Sequence, residues 1–160
     1  RMELESEPVD LASMLRKEVQ LAADGAADHK LVVDVPDDGL QVIGDEHRLE
    51  QVVVNLVANA VKYSPEGGVV RVSGRREGNV VRVYVEDEGL GIPTEHQSRV
   101  FSKFFRGEAR ASGIPGVGLG LAVSREIVEA HGGRIGFSSV ESQGSTFWFE
   151  LPCPSEHQAA

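Results

Sequence analysis

The 160-residue chain has a single cysteine, Cys153, so it cannot form an internal disulfide, and zinc sites built on several cysteines are excluded. A reducing compartment is the expectation. Long apolar runs are also missing. No stretch approaches the about 18–20 residues that a spanning helix needs, and the opening Arg1-Met2-Glu3-Leu4-Glu5-Ser6-Glu7-Pro8 has no apolar signal-peptide core. Basic residues are outnumbered, with 16 Lys and Arg against 25 Asp and Glu for a net charge of −9. This balance speaks against a nucleic-acid partner and requires any polyanion to meet a local basic cluster.

With 41% hydrophobic residues, the chain can bury the core of one ordinary globular domain. Asp10 is placed to cap a first helix whose apolar residues Leu11, Met14, Leu15, Val19 and Ala22 recur at helical spacing up to Asp24-Gly25. Two short β-branched runs, Leu31-Val32-Val33-Asp34-Val35 and Gln41-Val42-Ile43, read as strands, expected to pair across Pro36-Asp37-Asp38-Gly39. Asp45 then caps a long second helix that ends at Tyr63, before Ser64-Pro65-Glu66-Gly67-Gly68.

Alternating valines at 70, 72, 81, 83 and 85 flank Glu77-Gly78-Asn79 and predict a hairpin with one buried face. Glycines 107, 113, 116, 118 and 120 predict a mobile loop. A third helix is expected over 117–131, with Leu119, Val123, Ile127 and Ala130 on one face, followed by a closing hairpin over 134–151. Helices alternating with hairpins disfavour a doubly wound parallel sheet. The expected fold is an α/β (α+β) two-layer sandwich, with about three helices on one face of a mixed, mostly antiparallel sheet.

Within the second helix, Arg48, Asn55, Asn59 and Lys62 fall on one face beside an apolar face of Leu49, Val53, Leu56 and Ala60. Asparagine is a mediocre helix former, so two of them one turn apart need a reason. Their carboxamide oxygens are hard ligands suited to Mg²⁺, with Lys62 supplying positive charge to phosphates; an ordinary solvated face is the alternative. In Asp87-Glu88-Gly89-Leu90-Gly91, the glycines suit close approach to a flat ligand and the aspartate can accept from an exocyclic amine, although a common turn reads the same way. Gly116, Gly118 and Gly120 lead into the third helix, whose free N–H groups suit an anion. Lys103, Arg106 and Arg110 provide the local basic cluster, with Glu108 partly offsetting them.

Other chemistries find little support. The glycines match neither the dinucleotide fingerprint nor a P-loop. Histidines 29, 47, 96, 131 and 157 stand singly, which suits surface or capping roles. Phe101, Phe104 and Phe105 suit core or anchoring roles.

Taken in order, these segments resemble the catalytic, ATP-binding domain of sensor histidine kinases, in the superfamily shared with type II topoisomerases, the ninety-kilodalton heat-shock chaperones and mismatch-repair ATPases. Asn55-Leu56-Val57-Ala58-Asn59-Ala60-Val61-Lys62-Tyr63-Ser64-Pro65 is similar to that family's N box, and Asp87-Glu88-Gly89-Leu90-Gly91-Ile92 to its first glycine box. Phe101-Ser102-Lys103-Phe104-Phe105-Arg106 resembles the F box, Gly116-Val117-Gly118-Leu119-Gly120-Leu121 the second glycine box, and Gly144-Ser145-Thr146-Phe147 the last strand's motif.

The resemblance implies a Bergerat-type ATP-binding fold over residues 9–152, with 1–8 as the stub of a connection to a missing histidine-bearing dimerisation domain and 153–160 as a disordered tail. It implies ATP and Mg²⁺ as ligands. Asn59 would bind the metal with Asn55 assisting, and Lys62, Lys103 and Arg106 would face phosphate; Asn55, Asn59, Lys62 and Arg106 make up the catalytic set. Tyr63 would lie against adenine, Asp87 would receive its amine with Ser145 or Thr146 in support, and Gly89, Gly91 and Ile92 would shape the base pocket. The residues Gly116, Gly118, Leu119, Gly120 and Leu121 would cradle the triphosphate beneath a lid at 107–115.

The phosphoacceptor histidine is expected outside this chain, so the domain alone would not autophosphorylate. Its partners would be that dimerisation domain and, through it, a response regulator. The isolated domain is expected to be a cytoplasmic monomer, and its parent a homodimer that could be anchored in the cell membrane. The alternatives are an anti-sigma-type serine kinase, a domain that only binds a partner, and an ATP-hydrolysing clamp. Clamps place a glutamate where Asn55 stands, and a carboxamide is no general base at pH 7.

Overall fold

The structure, a computed structural model, describes residues 2–102 and 120–154. Among them the order is β1 (Glu7–Asp10), α1 (Leu11–Asp24), β2 (His29–Asp34), β3 (Gln41–Gly44), α2 (Glu46–Lys62), β4 (Gly68–Glu77), β5 (Val80–Asp87), a 3₁₀ turn (Thr94–Arg99), α3 (Gly120–Ala130), β6 (Arg134–Val140) and β7 (Gly144–Pro152). Both predicted helix caps are present. The Asp10 carboxylate accepts from the Ala12 N–H at 3.0 Å, and that of Asp45 accepts from the Arg48 N–H at 3.2 Å.

Five strands form one sheet in the order β2-β4-β5-β7-β6, antiparallel except for the parallel β2–β4 edge, and β1 and β3 form a separate two-stranded sheet. The mixed, mostly antiparallel sandwich expected from the sequence is the fold observed. Alternation decides its inner face: Val81, Val83 and Val85 of β5 and Phe147, Phe149 and Leu151 of β7 are buried, and Leu49, Val53, Leu56, Ile127 and Val128 of the helices pack into the same core. On the outer face the Arg82 guanidinium lies 4.4 Å over the Trp148 ring, and both Arg82 and Arg134 bond to Glu150.

Two sequence expectations are corrected. The runs at 31–35 and 41–43 do not pair with each other; β2 pairs with β4 and β3 with β1. In β2, Leu31 and Val33 register against Val70 and Val72 and extend the large sheet, while Val42 of β3 is fully buried under the helical layer. A turn between two apolar runs does not name their partners. The strand β1 also takes in Glu7 and Pro8, which the sequence reading assigns to the connecting stub.

The second correction concerns α3. Leu121, Ser124, Ile127 and Val128 are buried, Val123 is half-buried and Ala130 is exposed. Ser124 interrupts the apolar stripe, so hydrophobic periodicity pointed about one residue away from the true face. Leu119, like the loop glycines before it, lies outside the described residues. Among the described residues no helix is long and apolar enough to cross a membrane.

Candidate functional site

The polar stripe of α2 lies where the helix meets α3 and the loop after β5. The Asn55 side-chain amide donates to the Gly120 carbonyl and to the Ser124 hydroxyl, each at 3.3 Å. Both bonds use the NH₂ group and leave the carboxamide oxygen out of this contact. One turn on, Asn59 is 4% exposed. Lys62 closes the helix in its last turn, where the dipole favours a cation.

A second polar group stands at the end of the sheet. On β5 the inner-face row Val81, Val83, Val85 continues to Asp87, so alternation puts a carboxylate where a fourth hydrophobe would fit. Burial pushes its pKa up to about 6, against the opposing hydrogen bonds from the Gly89 and Ser145 backbone. Ser145 of β7 lies directly opposite Asp87 and is also buried. Together they offer acceptors to the amine of a flat ligand.

The loop after Asp87 joins these two ends. The Leu90 N–H donates to the Tyr63 carbonyl at the end of α2, 2.8 Å away. Gly89 packs so closely that a Cβ there would collide with the Tyr63 carbonyl; one at Gly91, whose φ is +68°, would strike the Val140 carbonyl. Both positions therefore require glycine. The Ile92 N–H is held by the Ser139 hydroxyl at 2.7 Å.

Two cavities differ in their relation to these residues. One of about 380 Å³ is lined by Asp87, Ser145 and Thr146 together with Ser139, Val140 and Gly144. Neither Asn55, Asn59, Lys62 nor Tyr63 lines it. The other, of about 670 Å³, lies at the opposite end of the β4–β5 pair, among Val35, Leu40, Gly74, Arg76, Val81 and Cys153, and contains no predicted site residue.

Gly120 and Leu121 form the first turn of α3, with Gly120 in contact with Asn55. Lys103, Arg106, Gly116, Gly118 and Leu119, and the lid expected at 107–115, lie outside the described residues. Phe101 is an anchor as expected, edge-on to Phe137 and Phe147 at 5.9 and 6.3 Å. His131 has the expected capping role: its ring bonds to the Ile127 carbonyl and accepts from the Asp45 N–H. The sequence reading missed Ser124, Ser139 and Gln97, whose roles depend on contacts 42 to 69 residues away. No local pattern marks them.

Residues 44–155 match the family described as histidine kinase-, DNA gyrase B-, and HSP90-like ATPase. The chain is 41% identical over 132 residues to sensor histidine kinase WalK of Bacillus subtilis, covering 81% of this chain and 22% of that protein. It is 43% identical over 134 residues to sensor-like histidine kinase SenX3 of Mycobacterium tuberculosis, covering 83% and 32% respectively. It therefore spans between about a fifth and a third of the length of these relatives.

Among solved structures, the mycobacterial sensor histidine kinase MprB superposes with a TM-score of 0.81 at 32% identity, covering 93% of this chain and 100% of that one. Full-length ShkA in complex with AMPPNP gives 0.81 at 32% identity, covering 94% and 32%.

Proposed function

The chain belongs to the histidine kinase-, DNA gyrase B- and HSP90-like ATPase family, and on that premise we propose that it binds Mg-ATP and donates the γ-phosphoryl group to a histidine on a separate dimerisation domain of a two-component sensor kinase. The observation that carries this reading is the Leu90 N–H bond to the Tyr63 carbonyl, because it closes the buried Asp87 carboxylate onto the end of the asparagine-bearing helix. This contact supports a reading in which base recognition and phosphate chemistry share one end of the sheet. The roles of Asn55, Asn59, Lys62, Tyr63, Asp87, Gly89, Gly91, Ile92, Ser145 and Thr146 are those the resemblance implies, completed by Lys103, Arg106 and the second glycine box.

Among the described residues no cluster of three or more His, Cys, Asp or Glu side chains is placed to hold a metal ion. The donors at hand are carboxamide oxygens on α2, a sparse hard set that suits an ion taking most of its ligands from water and phosphate. When bound, Mg²⁺ neutralises charge on the phosphates. Asn59 would hold it with Asn55 in support, Lys62 would add positive charge, and Asp87 would fix the base. Positioning supplies most of the catalysis in such transfers. The acceptor domain would bring the homodimer and the response regulator.

The test is phosphotransfer from γ-labelled ATP after a helical-hairpin histidine domain is added. An acid-labile phosphoprotein is expected. An acid-stable product would mean a serine kinase, and free phosphate alone would mean a hydrolysing clamp.

A further inference from the structure

The inner face of the sheet is built in rows that run across four strands. Gly74, Val83, Phe149 and Ile135 form one row, and Val72, Val85, Phe147 and Phe137 the next. The following row reads Val70, Asp87, Ser145, Ser139. Three adjacent polar residues thus end an otherwise apolar face, and the third, Ser139, lies in none of the motifs.

Ser139 is the centre of a small network. Its oxygen accepts from the Ile92 N–H at 2.7 Å and lies 2.8 Å from the Ser145 hydroxyl. Its hydroxyl also lies 3.2 Å from the Gly144 carbonyl, which can only accept. A serine has one proton to give. Either hydroxyl can donate in the 2.8 Å contact, and the arrangement that also satisfies the Gly144 carbonyl has Ser139 donating to Gly144 and Ser145 donating to Ser139. Ser145 then has only lone pairs to offer the cavity it lines with Asp87. Gln97 secures the assembly by donating to the carbonyls of Ile92 and Ser139 at 3.0 and 3.2 Å.

We propose that Ser139 is a positioning residue that sets base specificity: it consumes the Ser145 proton and anchors Ile92, so the base end of the site presents acceptors and selects a 6-amino purine over a 6-oxo purine. This rests on the nucleotide-binding reading above. A 6-oxo group turned toward Asp87 and Ser145 would set acceptor against acceptor. Without the Ser139 hydroxyl, Ser145 regains a free proton that can meet the 6-oxo group, and the loop at Ile92 loses its tether.

The experiment is calorimetric titration of the wild type, Ser139→Ala and Ser139→Thr with nonhydrolysable analogues of adenosine and inosine triphosphate. Thermal unfolding checks that each variant folds. The wild type is expected to prefer the adenosine analogue. Ser139→Ala is expected to bind it about tenfold more weakly and to lose about tenfold in discrimination, whereas Ser139→Thr, which keeps the hydroxyl, retains both.

If Ser139→Ala does not fold, the nearly isosteric but weakly bonding Ser139→Cys takes its place with the same expectation. Unchanged discrimination in the hydroxyl-free variant, or equal loss in Ser139→Thr, overturns the proposal and leaves nucleotide binding intact. A wild type that binds neither analogue overturns both readings.

Discussion

The side chain of Asn55 bonds to the carbonyl of Gly120, 65 positions further along the chain. The contact clips the asparagine helix to the first turn of the helix that follows the glycine-rich segment. Because the Ser124 hydroxyl takes the second Asn55 bond, the two helices meet through a polar joint inside an apolar interface.

That joint predicts the effect of cutting it. Asn55→Ala leaves Ser124, which is fully buried, without this partner and is expected to cost about 1–2 kcal/mol, read by urea denaturation. Asn55→Asp should cost more, since a carboxylate would face the Gly120 carbonyl. Equal stability of all three proteins would show that the joint carries nothing.

Asp87 gives a prediction with two signs. Its carboxyl titrates near 6 in the fold against an ordinary 3.8, so the folded state holds the proton more tightly than the unfolded one. The resulting stability is present below about pH 4 and is lost as pH rises through 6. At neutral pH the buried charge costs on the order of 2–3 kcal/mol. Asp87→Asn is therefore expected to raise the melting temperature of the free protein at pH 7.5 while weakening binding of an adenine nucleotide. Adenosine nucleotide affinity of the wild type should also fall as pH drops through 6, a dependence the variant lacks. A variant that melts lower and binds as tightly would contradict both parts.

Asn59 should separate folding from activity. Asn59 is buried near the end of α2, and Asn59→Ala, which keeps a good helix former there, is expected to fold with a stability loss of no more than about 1–3 kcal/mol. Phosphotransfer in the presence of Mg²⁺ should fall by at least a hundredfold, the scale of losing a charge-stabilising group. Near-normal transfer would remove Asn59 from the site.

Gly89→Ala tests the closure of the base loop. The added methyl would collide with the Tyr63 carbonyl, backbone against backbone, so the loop must move. Nucleotide affinity is expected to drop more than tenfold, because misplaced groups lose their orientation, with circular dichroism unchanged. Full affinity would mean that the Leu90–Tyr63 contact is dispensable.

Away from the site, Glu150 links Arg82 and Arg134 across the outer face. Hydrogen bonding to Arg134, then to Arg82, holds its carboxyl below the usual range despite partial burial. That stability is present above the ordinary glutamate range and is lost as pH falls through the lowered value. Glu150→Gln should lower stability at pH 7 by about 1–3 kcal/mol, with the difference shrinking toward pH 3 in chemical denaturation. A gap that stays constant with pH would assign the loss to packing.

Much of this molecule is local and was therefore readable along the chain. The caps at Asp10 and Asp45, the valine alternation around Gly78-Asn79, the asparagine stripe of α2 and the glycine-bearing loop after Asp87 each depend on residues a few positions apart. Their physics is backbone geometry, capping and periodicity, which short segments carry by themselves.

Only the tertiary structure decided which strands pair, which face of α3 is buried and how Ser139, Gln97 and Ser124 join the site. Apolar runs such as 31–35 and 41–43 satisfy a core with any partner of matching register, and the choice is made by how the whole sheet fills the space under the helices. A serine is marked by nothing in its own neighbourhood; its meaning comes from the proton acceptor that folding brings to it.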